Sequence, residues 1–409
     1  MTTAPAVAPR LRPDVTVGPP LLQGPRVVHF VKDRRTGWYF SMGAKEVFVL
    51  SRLDGQHTFE DIEAAYAERF KRRLGPDHWT HLLALLTARR LLAGTDDEQA
   101  MRELATRARA ESRGNNSLLR ARLPLFDPDR LLSRIEPSLR WCFRPWVVIP
   151  SLIAVVALEA WLAFHLPVLY AEATRVWTNP AAAATVAVLG WAMLALHELA
   201  HGLTCKHYGG QVPEIGLLWR FPLLAPYCKA DDAVLFHRSR HGVYTAFAGV
   251  FASLVVLLPF WALYGLPVGT QAREAVAGVL LFGSMSALVN LVPFLQLDGY
   301  YMLTHALGVV NLRAESARYL RRLARRLLPG GSGEAYPRRA RLIYLTYGLV
   351  SATFGLCLAT LLITMWFTTL SERFGPPAAA IILTGEAVVL LLAVRYFARR
   401  RKRSAEGTA

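Results

Sequence analysis

The sequence predicts a multi-pass α-helical membrane protein of about six transmembrane helices, preceded by a small cytoplasmic α+β domain of winged-helix-like form. Hydrophobic residues make up 53% and charged residues only 19% of the 409 residues, whereas soluble domains carry about 45–50% and about 25%. The mean hydropathy is +0.27, and from Trp146 onward long apolar blocks alternate with short basic loops. This organisation excludes a purely soluble enzyme, an intrinsically disordered chain and a disulfide-stapled mini-domain.

Composition divides the chain into five regions. The expected regions are, in order, a flexible tail at 1–24, a winged-helix-like domain at 25–95, a linker with an interfacial helix at 96–145, a six-span membrane domain at 146–398 and a basic cytoplasmic tail at 399–409. The first region is rich in Pro, Ala and Val and lacks the charged-then-apolar order of a signal peptide. The interfacial helix is expected at 128–141, where leucines and arginines are mixed along the chain.

The winged-helix-like domain is expected to contain two strands followed by three short helices. The strands lie within 26–42 and are separated by a polar turn at 33–37. The first helix is expected from Ala44. The second starts after Thr58, which is followed three residues later by a carboxylate in the pattern of a helix N-cap, and the third starts at Pro76.

Six apolar blocks are long enough to cross a hydrocarbon core of about 30 Å, which takes roughly 20 helical residues. They lie near 146–168, 181–204, 243–264, 275–297, 342–368 and 377–397. Nine arginines lie within 303–341, against two glutamates, and the five residues at 399–403 are all basic. Since positively charged loops face the cytoplasm, both termini are expected on the cytoplasmic side of the cell membrane.

The strongest short motif lies in the second apolar block, where His197, Glu198 and His201 form an HExxH pentad. On an α-helix two histidines four residues apart share one face and can bind a single metal ion, while the glutamate is offset toward a water on that metal. Charged groups inside an apolar span cost roughly 2.5–3.5 kcal/mol each on insertion scales, so they need a metal, water or one another. A metal-free polar contact between helices is the alternative interpretation.

A catalytic zinc usually takes three protein ligands, so the two histidines need a partner. The strongest candidate is Asp298, which lies near the end of a second motif, Asn-x-x-Pro-x-x-x-Leu-Asp-Gly, that begins at Asn290. His197 lies about 24 Å along the second span when that span is entered from the outer side near Ala181. Asp298 follows the fourth span, which runs in the same direction, so both groups are expected at the cytoplasmic side of the membrane.

The two motifs together resemble those of the site-2 protease family of intramembrane zinc metalloproteases. The resemblance implies that His197, His201 and Asp298 bind Zn²⁺. It also implies that Glu198 is the general base and that Asn290 helps to hold the substrate or the oxyanion.

The resemblance covers residues 191–303, and other positions in this range fit it more weakly. The segment 209–212 is similar to a turn that opens a membrane-embedded hairpin after the zinc helix. Gly249 is similar to the start of the next span, but Val250 stands where the family usually has proline. The segment 213–232 resembles the peptide-metallopeptidase branch found beside bacterial export and peptide-modification systems, which implies such a system as a partner.

The amino-terminal domain resembles PqqD-like domains, small winged-helix modules that bind the leader region of a ribosomally made precursor peptide. The similarity lies in the predicted strand pair and in the segments 53–55 and 58–62. It implies that a peptide strand adds to an exposed sheet edge near Val28–Lys32 by main-chain pairing. A generic winged-helix interaction domain is the alternative interpretation.

Together these features predict a zinc-dependent intramembrane endopeptidase that cleaves a membrane-associated or ribosomally made precursor peptide near the cytoplasmic face. The expected partners are that peptide or a membrane-protein substrate, the lipid bilayer, and an export or peptide-modification system. Two alternatives stay open: a non-proteolytic, membrane-anchored peptide-binding or export-accessory component, and a metal transporter. A nucleic-acid partner is not expected, because the basic residues within 27–95 are offset by acidic ones.

Other candidate residues carry weaker signals. Glu159 and Glu386 are isolated acids in the first and sixth spans, where a functional role and a hydrogen bond to a neighbouring helix explain them equally well. Four histidines near the expected cytoplasmic mouth are favoured as surface or substrate-contacting groups over zinc ligands. They are His207, His237, His241 and His305.

Overall fold

The computed structural model describes residues 8–95, 97–113, 120–220, 223–326 and 335–406. Within these residues six helices are long and apolar enough to cross a membrane, by length and composition. A small domain containing a sheet precedes them, and a three-stranded sheet includes a hairpin that follows the second of them. The chain therefore combines a set of membrane-length helices with an amino-terminal α+β domain.

The amino-terminal domain begins with four strands and continues with three helices. The strands are β1 (Val15–Val17), β2 (Leu21–Gln23), β3 (Arg26–Asp33) and β4 (Tyr39–Gly43), and the helices are α1 (Ala44–Leu50), α2 (Phe59–Phe70) and α3 (Pro76–Ala88). The Thr58 side chain accepts a hydrogen bond from the Asp61 N–H, and the Asp61 carboxylate accepts one from the Thr58 N–H. The predicted strand pair, the three helices and the cap of α2 are thus confirmed.

β3 is the central strand of this sheet and is antiparallel to its neighbours. β4 pairs along one edge, and β1 and β2 together form an interrupted strand along the other edge. The predicted flexible tail is therefore wrong for residues 15–17 and 21–23, while residues 1–7 of that tail lie outside the described residues. The prediction of an exposed edge at Val28–Lys32 is also wrong. Edge strands present unpaired backbone groups, and here the chain's own amino-terminal segment pairs with them.

The predicted linker contains α4 (Glu98–Arg113), β5 (Arg120–Phe126) and α5 (Asp129–Leu139). β5 was not expected, and it pairs with a hairpin that follows the second membrane-length helix. α5 lies within the segment 128–141 that predicts an interfacial helix, and its Leu132 is buried in a cluster with Cys205 and Val212. The linker is therefore folded against the helical domain.

The helical domain contains α6 (Pro145–Phe164), α7 (Leu166–Arg175), α8 (Pro180–His207), the hairpin strands β6 (Ile215–Arg220) and β7 (Leu223–Cys228), α9 (Ser239–Tyr264), α10 (Thr270–Asn290), α11 (Asp298–Leu307), α12 (Leu312–Arg326), α13 (Arg338–Phe374) and α14 (Pro376–Glu406). The six membrane-length helices are α6, α8, α9, α10, α13 and α14. The second sheet has the strand order β5-β6-β7 and is antiparallel throughout.

Prolines accompany two departures from the predicted apolar blocks. The block at 146–168 is divided between α6 and α7, and Pro167 lies in the first turn of α7. The block at 275–297 ends early, because α10 stops three residues before Pro293, and proline disfavours helix at the residue before it and lacks an N–H. Asp298 therefore begins the separate helix α11.

The helices α8, α9 and α10 pack against one another, and α11 packs against α9. Apolar side chains such as Met193, Leu254 and Leu280 are buried in their common core. Burial of apolar surface of this kind is the main force that holds such helices together in water-facing regions, while close van der Waals packing dominates within lipid. The arrangement brings the carboxyl-terminal half of α8 next to the start of α11.

Candidate metal centre

Two histidines of α8 and the first residue of α11 converge on one point. His197 Nε2 lies 2.9 Å from Asp298 Oδ2 and 3.1 Å from His201 Nε2. His201 Nε2 lies 3.4 Å from Asp298 Oδ1. Each side chain offers one ligand atom, and these atoms lie within 4.8 Å of one another. The fold therefore brings together all three residues that the sequence suggests as metal ligands.

Local structure explains why these side chains meet. His197 and His201 are one helical turn apart on α8 and share a buried face. Asp298 is brought to them by a tight approach of the backbone, because a β-carbon on Gly299 would lie only 2.1 Å from the Leu291 carbonyl oxygen. Only glycine fits at that position without a shift of the backbone. The Asp-Gly pair of the second motif thus has a steric reason.

Hydrogen bonds to α9 orient both imidazole rings. His201 Nδ1 lies 2.7 Å from the Thr245 carbonyl oxygen, and His197 Nδ1 lies 3.1 Å from Ser253 Oγ. The Thr245 carbonyl can only accept, so His201 carries a proton on Nδ1 and directs Nε2 toward Asp298. Metal-binding histidines are typically held in this way, with the second ring nitrogen bonded to a carbonyl or another polar group.

Gly249 on α9 leaves the space in which the two rings meet. A β-carbon at this position would lie 2.4 Å from His201 Nε2 and 2.6 Å from His197 Nε2. Any larger residue would therefore occupy the space between the nitrogen atoms. The sequence singles out Gly249 only through its resemblance to the start of a span, and the structure gives it a steric role at the site.

The dimensions of the cluster fit a divalent metal ion. Metal bonds of about 2.0–2.1 Å in a tetrahedral site place the ligand atoms about 3.3 Å apart, close to the separations between His197, His201 and Asp298. Asp298 Oδ2 is buried, and among the described residues it has no hydrogen-bond partner apart from the His197 imidazole. Burial disfavours the charged form of Asp298, but the two imidazoles more than offset this and lower its pKa to about 2. The carboxylate is therefore ionised at neutral pH and available as a ligand.

Glu198 lies beside the cluster and does not belong to it. Its Oε2 accepts a hydrogen bond of 2.8 Å from the Cys228 N–H at the end of β7. Burial raises the pKa of the Cys228 thiol to about 12, so the thiol is not a thiolate at neutral pH. The hydrogen bond from the Cys228 N–H holds one oxygen of the Glu198 carboxylate in place. The second carboxylate oxygen is left for another partner.

A cavity of about 630 Å³ adjoins the cluster. Its walls come from two parts of the chain. They include Glu198, His201 and Asp298 of the helical domain and Leu21, Phe30 and Tyr39 of the amino-terminal sheet. Cavities of this size accommodate small organic ligands or short peptide segments. The sequence gives no indication that the amino-terminal domain contributes to this cavity.

Asn290 lies on a different cavity. It lines a smaller space of about 150 Å³, together with His197 and Ser253, between α8, α9 and α10. Its Nδ2 donates a hydrogen bond of 3.2 Å to the Ser286 carbonyl oxygen. The structure therefore does not bring Asn290 to the cavity that holds Glu198 and Asp298.

A buried polar cluster that the sequence does not reveal joins the amino-terminal domain to the segment after α8. Lys32 Nζ donates to Asp232 Oδ1 at 2.5 Å, and both side chains are 3% exposed. Tyr39 donates its hydroxyl to the same oxygen, and Asp232 Oδ2 accepts from the Gln211 N–H at 2.8 Å. Burial, followed by the charge of Asp232, raises the pKa of Tyr39. The only signal in the sequence is that Lys32 and Asp232 have opposite charges. Such charges are too common to show that two residues so far apart in the chain are in contact.

Glu159 and Glu386 form hydrogen bonds to neighbouring helices, and His305 lies at the cavity. Ser284 Oγ donates to Glu159 Oε2 at 2.6 Å, and Trp366 Nε1 donates to Glu386 Oε2 at 3.1 Å. Both acids therefore take part in contacts between helices. His305 lines the 630 Å³ cavity, and burial lowers its pKa to about 4, so its imidazole is neutral at physiological pH.

Comparisons with known proteins do not add to this geometry. No protein-family model, curated protein or solved structure matches the chain. The functional interpretation of the site therefore depends on its residues and their arrangement.

Proposed function

We propose that the protein is a multi-pass membrane zinc endopeptidase that cleaves a membrane-associated or ribosomally made precursor peptide. The observation that carries this proposal is the convergence of His197, His201 and Asp298 at ligand separations, with Glu198 on the adjoining cavity. This set combines three protein ligands with a nearby carboxylate that is not a ligand. Catalytic zinc sites of hydrolases have this composition.

The six membrane-length helices and the distribution of arginine support a location in the cell membrane. On this proposal the arginine-rich segments and both termini face the cytoplasm. The cluster lies near the carboxyl-terminal end of α8 and at the start of α11. In that orientation the reaction takes place close to the cytoplasmic face.

The residues have distinct roles in the proposed reaction. When bound, zinc supplies a Lewis acid that activates water and polarises a peptide carbonyl. Glu198 accepts the proton of the attacking water and returns it to the leaving amine. The Cys228 N–H holds the Glu198 carboxylate in place, and the Nδ1 contacts of the two histidines keep their Nε2 atoms directed inward.

The size of the cavity limits the form of the substrate. A volume of about 630 Å³ accommodates a short peptide segment. The carbonyl groups of a helical peptide are occupied by its own hydrogen bonds. We infer that the peptide is cleaved in an extended conformation, whether it comes from the lipid phase or from the cytoplasm.

A glutamate substitution tests the proposal. Purified full-length protein, its Glu198→Gln variant and a Glu68→Gln control on the exposed surface of α2 are loaded with zinc and incubated with a library of quenched fluorescent peptides. Loss of a general acid–base group lowers rates by about 10²–10⁴-fold. We expect Glu198→Gln to keep the zinc content and lose cleavage, and Glu68→Gln to behave as wild type. Cleavage by Glu198→Gln at the wild-type rate would contradict the assignment, and binding without cleavage by the wild type would favour the non-proteolytic alternative.

A further inference from the structure

The sheet of the amino-terminal domain has two different faces. Directly opposed residues of antiparallel strands lie on the same face, and one face carries Val31 opposite Phe40, both buried in the core with α1, α2 and α3. The other face carries Phe30 on β3 and Tyr39 opposite Lys32. Among the described residues, Phe30 and Tyr39 do not belong to the apolar core that the sheet forms with those helices. It is turned toward the helical domain and the metal centre.

The first attachment of this face lies after α8, the helix that carries both histidines. Asp232 accepts hydrogen bonds from Lys32 and Tyr39 of the sheet and from the Gln211 main chain. Since Lys32 and Asp232 are almost completely excluded from solvent, separating them would leave uncompensated charges in a buried place. The contact therefore fixes the sheet next to the metal helix.

A second attachment lies after α11, the helix that begins with Asp298. The Leu22 N–H donates to the Gly308 carbonyl at 2.8 Å, and the Val310 N–H donates to the Leu22 carbonyl at 2.9 Å. Leu22 and Val309 form a parallel β-bridge. The sheet is thus fixed to both segments that supply metal-binding residues, and its position relative to the cluster is set from two sides.

The shared cavity has a polar and an apolar part. The polar groups of the metal centre, such as Glu198 and Asp298, line it together with Leu21 and Phe30 of the sheet. Apolar residues from the helical domain, among them Val234 and Val309, line the same cavity. Leu21 lies opposite Val28 in the sheet, on the same face as Phe30. An apolar wall of this kind favours an apolar side chain of the substrate.

We propose that Leu21 and Phe30 form an apolar subsite of the peptidase, so that the amino-terminal domain selects the substrate through a residue close to the cleaved bond. This inference rests on the proposed peptidase function. The substrate class is an extended peptide with a large apolar residue close to the scissile bond, because Leu21 and Phe30 line the same cavity as Glu198 and Asp298. Peptide recognition is then divided between two domains of one chain.

Peptide binding to the Glu198→Gln variant tests the subsite without cleavage. A positional library of fluorescein-labelled heptapeptides first identifies the tightest binder and the position at which leucine or phenylalanine is preferred. The Kd values of this peptide and of its alanine-substituted form are then measured with two proteins. These are the Glu198→Gln variant and the Glu198→Gln/Phe30→Ala double variant. This double-mutant cycle isolates the pairwise term between Phe30 and the substrate side chain. The control variant is Val27→Ala on the same strand, where Val27 is 45% exposed.

We expect Phe30→Ala to weaken binding of the apolar peptide by about tenfold to hundredfold and to change binding of the alanine peptide by less than about threefold. Val27→Ala should leave both values unchanged. Phe30→Trp, which narrows the cavity, should shift the preference toward smaller side chains, and it serves if Phe30→Ala fails to fold. Equal weakening of both peptides, or an unchanged preference in the folded variants, would overturn the subsite. Coupled binding together with a wild-type protein that cleaves no peptide would overturn the proposed function instead and leave the subsite standing.

Discussion

Asp298 Oδ2 lies 2.9 Å from His197 Nε2, although the helices that carry the two residues are separated along the chain by a β-hairpin and two further long helices. The oxygen is buried, and among the described residues it has no hydrogen-bond partner apart from this contact with the His197 imidazole. A buried carboxylate and two imidazole nitrogens at such separations are stabilised by a positive charge that they share, which can be a proton on an imidazole or a bound metal ion. On the proposed function this charge is zinc, which binds nitrogen and oxygen ligands of this kind.

Removal of the carboxylate should release the metal. In Asp298→Asn a neutral amide replaces the ionised ligand, and two histidines alone do not complete the usual set of three protein ligands. We expect the zinc content of the purified protein to fall from about one per chain to a small fraction, as measured by plasma mass spectrometry. Asp231→Asn, at another residue that lines the cavity, should keep its zinc. Full zinc occupancy in Asp298→Asn would show that this residue is not a ligand.

A single added methyl group at Gly249 should have a similar effect. In Gly249→Ala the β-carbon would stand 2.4 Å from His201 Nε2 and 2.6 Å from His197 Nε2, so the rings must separate. We expect loss of zinc and of cleavage, even though alanine favours a helix by roughly 0.5–1 kcal/mol over glycine. Gly355→Ala on α13, where nothing lies within 4 Å of the added carbon, is the matched control. Unchanged zinc affinity in Gly249→Ala would mean that the rings do not meet at this position.

Cys228 offers a way to remove one main-chain donor. Cys228→Pro deletes the N–H that binds Glu198, whereas Cys228→Ala keeps it and removes only the thiol. Hydrogen bonds to charged groups are worth about 1.5–3 kcal/mol, so we expect kcat to fall about tenfold or more in Cys228→Pro with zinc retained. The comparison with Cys228→Ala separates the two effects. Equal rates for the two variants would remove the positioning role of this N–H.

The buried pair of Lys32 and Asp232 should dominate the attachment of the amino-terminal domain. Replacing Asp232 by leucine leaves the ammonium of Lys32 buried without its partner, which costs about 3–5 kcal/mol. We expect a lower thermal midpoint and faster proteolysis of the amino-terminal domain in detergent. The double variant Lys32→Met/Asp232→Leu should recover part of this loss, and Asp231→Leu, at a 59% exposed side chain, should have little effect. No difference between Asp232→Leu and Asp231→Leu would contradict the role of the pair.

The burial of His305 should make the folded protein less stable in acid. Burial lowers its pKa to about 4 from 6.5, so between these values the unfolded chain binds a proton that the folded chain does not. The free energy of unfolding contributed by this group is therefore complete above pH 6.5 and decreases as the pH falls toward 4. The thermal midpoint of the metal-free wild type should therefore fall relative to that of His305→Gln as the pH is lowered over this range. A parallel pH profile for the two proteins would contradict the prediction, and His81→Gln, at an exposed histidine, should follow the wild type.

The helices and the two motifs could be predicted from the sequence because they depend on local patterns. Apolar length identifies α8 and α9, and the four-residue spacing places His197 and His201 on one face. Counting residues along two spans that are expected to run in the same direction predicts Asp298 near the two histidines, and the fold brings the three together. These inferences need only the length and periodicity of helices.

Contacts between distant segments could not be predicted in the same way. The strands β1 and β2 have three residues each, too few for a clear alternation of polar and apolar residues. β5 contains Pro124, which argues against a strand when the sequence is considered alone. The burial of Lys32 against Asp232 follows from how two domains pack, and neither residue differs locally from a solvent-exposed charge. The role of the amino-terminal sheet in the cavity therefore became visible only with the fold.

X-ray absorption at the zinc edge of the purified protein tests the central claim most directly. The account predicts one zinc per chain, bound by two imidazole nitrogens and by oxygen at about 2.0–2.2 Å, with no sulfur ligand. Absence of stoichiometric zinc after loading, or a sulfur ligand at about 2.3 Å that would indicate Cys205 or Cys228, would contradict it.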